Sequence, residues 1–243
     1  MAATKSALHS PAPVTAAQAV AKLKAQSSQT HREGLTRFGI PNEHALGVPM
    51  STIQAIGKQI GRQPALVDPL WDTGIYEARS LVAFVADPLQ LSATQMDRWC
   101  REFDNWAICD TLCFHLFDRS PHAWTKVKRW SARRGEFERR TAFALLASLA
   151  VHDKRASDAP FEAALELITA AAGDERNFVK KGVSWALRAI GHRNASLYGQ
   201  ALALARTLAA SEDQAERWVG KDTLRDLNRP LVQKRHGKQA KAK

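Results

Sequence analysis

Cysteine is scarce in this chain. The 243 residues contain three, Cys100, Cys109 and Cys113. They lie among apolar neighbours and show neither a CxxC pair nor a Cys/His spacing able to hold zinc. A disulfide scaffold and a zinc-stapled module are thereby excluded. A chain of this length with 45% hydrophobic residues can bury a core without staples. The cysteines read as small buried hydrophobes of a reducing compartment. Long apolar runs are missing as well. No stretch approaches the ~20 residues a membrane span requires, and the polar, Ser/Ala/Pro-containing N-terminus has no hydrophobic signal core. The sequence thus predicts a cytoplasmic protein with no membrane partner. Alternating β-type patterning is also absent.

One quantity is in excess. Thirty-five Lys and Arg against 24 Asp and Glu give a net charge of +11, and the pI is near 9.9. Such a balance favours polyanionic partners, nucleic acid first among them, although a basic excess can also serve solubility alone.

Residues 1–14 and the end from about Asn228 to 243, which is basic, carry little periodic apolar character and are expected to be disordered tails. Between them, over 15–227, helical periodicity alternates with short breaks at Gly, Pro, Asp and Ser. The expected helices span 15–38, 50–60, 63–72, 75–86, 92–100, 103–117, 121–131, 136–152, 159–172, 174–191, 195–210 and 212–227. Ser92 with Gln95, Asp158 before Pro160, and Ser211 before Glu212 and Asp213 mark helix starts. Twelve short helices with short connections indicate an all-α protein of stacked pairs. Pairs repeating at ~40 residues are the unit of HEAT-type solenoids, with a globular bundle as competitor.

Three of these helices carry residues that a plain core would not require. In the segment DERNFVKKGVSWALRAIGHRN, at about 100° per residue, Val179, Val183, Ala186, Leu187 and Ile190 form one buried stripe. Trp185 falls opposite, with Lys181, Arg188 and His192. Tryptophan is commonly a core residue, but a rigid aromatic among cations is also what grips sugars, bases and phosphates. In FERRTAFALLASLA, Arg140 projects opposite Ala142, Leu145, Leu146 and Leu149, next to small Ala144 and Ala147 that would admit a bulky partner. It is placed either to bind phosphate or to pair with a neighbouring helix. The helix FDNWAICDTLCFHLF is apolar almost all round and should be largely buried, yet carries Asp110 with Trp106 one turn earlier. An ionised carboxylate there is either structurally paired or kept for chemistry on a substrate that develops positive charge. Lys126, Lys128, Arg129, Arg133, Arg134, Arg139 and Arg140 add a basic cluster that could run as a track towards Arg193. Trp124 and Trp130 fit the core.

At these residues the chain resembles the bacterial DNA alkylation repair glycosylases of the AlkD type, built from HEAT-like repeats. The likeness runs from about Arg37 to Leu227 and includes RFGIPNEHALGVPMSTIQAIGKQIG, LWDTGIYEARSLVAF, MDRWCREFDNWAICD, FERRTAFALLASLAVHDK and DERNFVKKGVSWALRAIG. It implies a right-handed solenoid with a basic concave face, acting as a monomer on double-stranded DNA that contains alkylated bases, with no cofactor and no metal. Trp106 and Trp185 resemble the family's tryptophans flanking the lesion-bearing sugar, Asp110 its catalytic carboxylate and Arg140 its DNA-contacting arginine. Lys181 and Arg188 are expected to assist with phosphates. Phe38 stands where the family has a tyrosine, so a stacking surface remains and a hydroxyl is lost. The implied reaction is hydrolysis of the N-glycosidic bond of cationic N3- or N7-alkylpurines. A noncatalytic nucleic-acid-binding solenoid and a protein-interaction scaffold are the rival readings.

Overall fold

The computed structural model describes residues 13–240, with side chains through residue 236. The described backbone is helical, with no strand among these residues. Its contacts divide into two compact units that meet in sequence at Asp87 and Pro88.

The first unit holds α1 (Ala16–Lys24), α2 (Gln29–Gly34), a 3₁₀ turn (Leu35–Phe38), α3 (Met50–Ile60), a second 3₁₀ turn (Pro64–Leu66), α4 (Val67–Trp71) and α5 (Tyr76–Val85). The helix expected over 15–38 is therefore interrupted. Ser28 caps a new helix by accepting from the His31 N–H, and a side-chain cap satisfies donors that would otherwise be orphaned at a helix start. Ile53, Leu70, Trp71, Leu81 and Val82 form the core of this unit. The buried Glu77 accepts from the backbone N–H groups of Leu46, Gly47 and Val48 at 2.8, 2.7 and 3.2 Å. That anion organises the loop before α3. Gly47 is needed there, because its φ is +78° and a Cβ would stand 2.2 Å from the Ser28 carbonyl oxygen.

The second unit contains α6 (Ala93–Arg101), α7 (Trp106–His115), a 3₁₀ turn (Phe117–Arg119), α8 (Ala123–Ser131), α9 (Glu136–His152), α10 (Ala159–Ala171), α11 (Asn177–Gly191), α12 (Ala195–Ala209), α13 (Gln214–Leu227) and α14 (Pro230–Ala240). Helices α7, α9, α11 and α13 pack side by side in that order, while α8, α10 and α12 form a second row behind them. Side-chain links between neighbours rise together in residue number, from Cys109 to Phe137 and Cys113 to Thr141, then from Ser184 to Asp222 and His192 to Asp226. The front-row helices on each side of these links are thus parallel. Helix α9 sits between two of them, and every residue from Arg140 to Ala150 is buried. Ala144 and Ala147 accordingly admit neighbouring helices rather than a ligand.

Two expectations need correction here. Residues 230–240 of the expected C-terminal tail form a helix: α14 holds Val232 and His236 one turn apart, both buried, and His236 stacks on Tyr198 at 4.5 Å. These two side chains anchor α14, while Leu231 of the same helix is exposed. The last helix of the expected set starts at Gln214, with Asp213 rather than Ser211 as its cap. Residues 1–12 of the expected N-terminal tail lie outside the described residues.

Close helix packing sets a pair of opposite expectations for two glycines. At Gly220 of α13, a Cβ would lie 2.2 Å from the Ala209 nitrogen and 2.6 Å from the Ala205 oxygen, whereas at Gly199 of α12 nothing lies within 4 Å. Gly220→Ala should cost about 1–3 kcal/mol through overpacking. Gly199→Ala should gain roughly 0.5–1 kcal/mol from helix propensity. Chemical denaturation of the two variants, with opposite shifts of midpoint, checks both.

Candidate nucleic-acid site

Helix α7 presents Trp106, Asp110 and Phe114 at successive i, i+4 positions, one above another on a single face. Asn105 caps the helix by accepting from the Ile108 N–H at 3.0 Å and so fixes where that face begins. The flank of that face turned towards α9 carries Cys109 and Cys113, both buried. Their thiols donate towards the carbonyl oxygens of Asn105 and Thr141. Burial pushes all three cysteine thiols far up from their ordinary pKa, and neighbouring acidic groups add to the effect.

Arg140 of α9 meets Asp110 edge to edge. Its Nε donates to Oδ1 at 3.0 Å and its Nη2 to Oδ2 at 2.7 Å, while Nη1 donates to the Phe178 carbonyl of α11 at 2.8 Å. The Arg140 side chain is 7% exposed and that of Asp110 20%. Burial raises the Asp110 pKa above the ordinary carboxylate value; the charge and hydrogen bonds of Arg140 oppose it without cancelling it. The guanidinium also lies 5.9 Å from the centre of the Trp106 ring. Of the two roles open to Arg140 in the sequence, the structure displays pairing with a neighbouring helix: the side chain is turned inward onto the carboxylate.

On α11, Val179, Val183, Ala186, Leu187 and Ile190 are fully buried, and Trp185 lies off that face, half-buried. Its ring stacks on Phe114 at 5.4 Å with an interplanar angle of 15°. Phe114 in turn receives His152 of α9 edge-on at 4.8 Å. The residues brought together are therefore Trp106, Asp110, Arg140, Phe114 and Trp185, spanning three adjacent helices. Sequence reasoning missed Phe114, which was grouped with the apolar residues of α7; its i+4 spacing from Asp110 was the available signal.

The cations divide into two groups. Lys181 is exposed, whereas Arg188 donates to the Ser184 carbonyl and lies 3.7 Å from Asp222. Much of the basic cluster is neutralised within the protein. Lys126 is buried against Asp97 at 2.7 Å, and Arg129 reaches the same carboxylate at 3.1 Å. Arg133 pairs with Glu138, and Arg139 with Asp174. Arg193 is also internal, donating to the carbonyl oxygens of Ala150 and Ala156. A continuous track from Lys126 to Arg193 is thus not what these residues form. Trp130 is buried, as its pattern predicts, but Trp124 is half-buried. Phe38 lies in the first unit, 65% exposed on the 3₁₀ turn. Among the described residues no group of three or more His, Cys, Asp or Glu side chains could hold a metal ion, and no helix is long and apolar enough to cross a membrane.

These stacked helical pairs define a HEAT-like repeat protein. A solved structure described as a new family of proteins related to the HEAT-like repeat DNA glycosylases, with affinity for branched DNA structures, is similar to this chain with a TM-score of 0.73 and 19% identity. The match covers 87% of this chain and 95% of that one. The sequence profile of the DNA alkylation repair enzyme family matches residues 19–227, and the chain belongs to that family. No curated protein sequence matches it.

The Asp110–Arg140 fork sets a stability expectation. Arg140→Ala leaves a largely buried carboxylate without its cation and should destabilise the protein by on the order of 3 kcal/mol. Lys181→Ala, at an exposed position, should change stability by less than about 0.5 kcal/mol. Urea unfolding of both variants measures the contrast.

Proposed function

We propose that the protein is a monofunctional DNA glycosylase that hydrolyses the N-glycosidic bond of cationic N3- or N7-alkylpurines in duplex DNA. The observation that carries this reading is Asp110, a carboxylate held by a bidentate arginine beside Trp106 and one turn from the Phe114–Trp185 stack. Alkylation already makes the purine a good leaving group, so no protonation of the base is required. The remaining demand is on the sugar, which develops oxocarbenium character as the bond breaks. A preorganised anion beside that centre stabilises the transition state more than the ground state. Asp110 fills this role or orients the attacking water. Arg140 acts through Asp110, fixing its two oxygens, and is a positioning residue in this scheme. Trp106, Phe114 and Trp185 supply flat walls that confine the deoxyribose. Lys181, Arg188 and Phe38 contribute DNA contacts that position the duplex without reading its sequence.

A second reading draws on the solved relative's described affinity for branched DNA: a noncatalytic DNA-binding repeat protein. It shares the cations and aromatics but needs no carboxylate chemistry. Single-turnover release of N7-methylguanine from duplex DNA separates the two. Asp110→Asn should keep DNA affinity and lose ~2–4 kcal/mol of transition-state stabilisation, roughly 30- to 1000-fold in rate. Because burial raises the Asp110 pKa, the wild-type rate should fall with acidification at a pH above the usual carboxylate range, as the catalytic anion is protonated. The Asn variant should lack that acid limb. Wild-type rates in a folded Asn variant would remove Asp110 from the mechanism, and no release by the unmodified protein would leave the binding reading.

Duplex affinity provides an independent check on the cations. Lys181→Ala should weaken binding regardless of sequence and make the plot of log affinity against log salt shallower by about one unit.

A further inference from the structure

A depression adjoins the aromatic row. It lies where α9 ends, has a volume of about 510 Å³, is rimmed by Arg119, His152, Lys154 and Arg155 and includes Trp124 and Pro121 among its apolar walls. Its shape is fixed mainly by contacts outside the aromatic row, although His152 of its rim also meets Phe114 edge-on. The last turn of α9 and the loop after it are tied together by Arg193, through the Ala150 and Ala156 carbonyls at 3.1 and 2.9 Å. Asp153 accepts from the N–H groups of Arg155 and Ala156 and from the Trp124 indole, so that carboxylate is committed within the wall. The other carboxylate, Asp118, is fully buried and accepts from the Ser148 hydroxyl at 2.7 Å, while the His152 Nδ1 lies 2.5 Å from it. With Nδ1 held in this way, Nε2 is the ring nitrogen left to meet a ligand, on a side chain 43% exposed. Arg119 is braced by Asp118 and the His115 carbonyl. The ammonium of Lys154 and the guanidinium of Arg155 have no ion-pair partner among the described residues.

We propose that this depression receives one nucleoside monophosphate unit, the unpaired nucleotide of a DNA strand. The apolar wall at Trp124 suits a base, and the cationic rim suits its phosphate. The volume is sufficient for one nucleotide. The inference rests on the chain binding DNA, as proposed above, and is independent of base excision.

The test uses duplexes without any lesion, one carrying a single-nucleotide 5′ flap of 2-aminopurine and one fully paired with the same base inside. The wild-type protein should bind the flap roughly tenfold more tightly, from one base stacked on an aromatic wall, and should quench its emission. The double variant Lys154→Ala/Arg155→Ala should bring that preference close to unity and make the salt slope shallower by about two units. Thermal unfolding of the double variant should match the wild type, since both side chains are exposed. Asp110→Asn should keep the preference. Equal affinity for flap and paired duplex would overturn the proposal, as would a preference surviving the double substitution. A preference lost with Asp110 would overturn it too, by placing flap binding in the aromatic row. Free 2-aminopurine deoxyribonucleoside 5′-monophosphate distinguishes the sources: quenching of its emission but not of the flap's overturns the strand assignment. Flap preference in a protein that releases no alkylated base would support this pocket while refuting the glycosylase reading.

Discussion

The ion pair between Asp110 and Arg140 fixes more than the two groups that form it. Helix α7 is apolar almost all round and could pack against α9 at several rotations with similar burial. A bidentate pair allows far fewer, because two hydrogen bonds at 2.7 and 3.0 Å set direction as well as distance. The third donor of Arg140, on the Phe178 carbonyl, ties α11 into the same arrangement. One guanidinium thus registers three helices, and only in that register do Trp106, Phe114 and Trp185 lie along one site. Removing a buried charge from its partner is costly, while replacing the whole pair with apolar groups can be neutral. The pair is therefore better understood as a constraint on geometry than as a source of stability.

Related carboxylate links recur between successive helices of the second unit. Asp118 meets His152, Asp222 meets Ser184 and Arg188, and Asp226 meets His192. Each joins elements more than 30 residues apart. In a stack of parallel helices, apolar contact alone leaves sliding along the axes weakly opposed. Directional polar contacts between neighbours resist that sliding.

This also explains what could and could not be read from the chain. The α11 stripe was legible because its buried residues recur every three to four positions, so the side on which Trp185 falls follows from helical geometry. The α7 face was not, since a helix apolar all round gives no preferred direction, and Phe114 looked like any other core residue. Arg140 was legible as exceptional but not as paired, since the two outcomes require the same residue at the same place. The basic cluster misled because charge counted along the chain takes no account of acids distant in sequence: Asp97 answers Lys126 and Arg129, and Asp174 answers Arg139. Helix α14 escaped notice because it docks through few side chains, Val232 and His236.

The cysteines carry a different consequence. Reagents that alkylate DNA also attack thiolates, the sulfur species with real nucleophilicity. Cys100, Cys109 and Cys113 are buried, and their thiols are held protonated by that burial. In a DNA alkylation repair protein built in this way the thiols stay unreactive towards alkylating electrophiles for as long as α6 and α7 remain docked on α9. Its own resistance to damage is thereby a property of helix packing, and any modification of these sulfurs is a record of how often that packing opens.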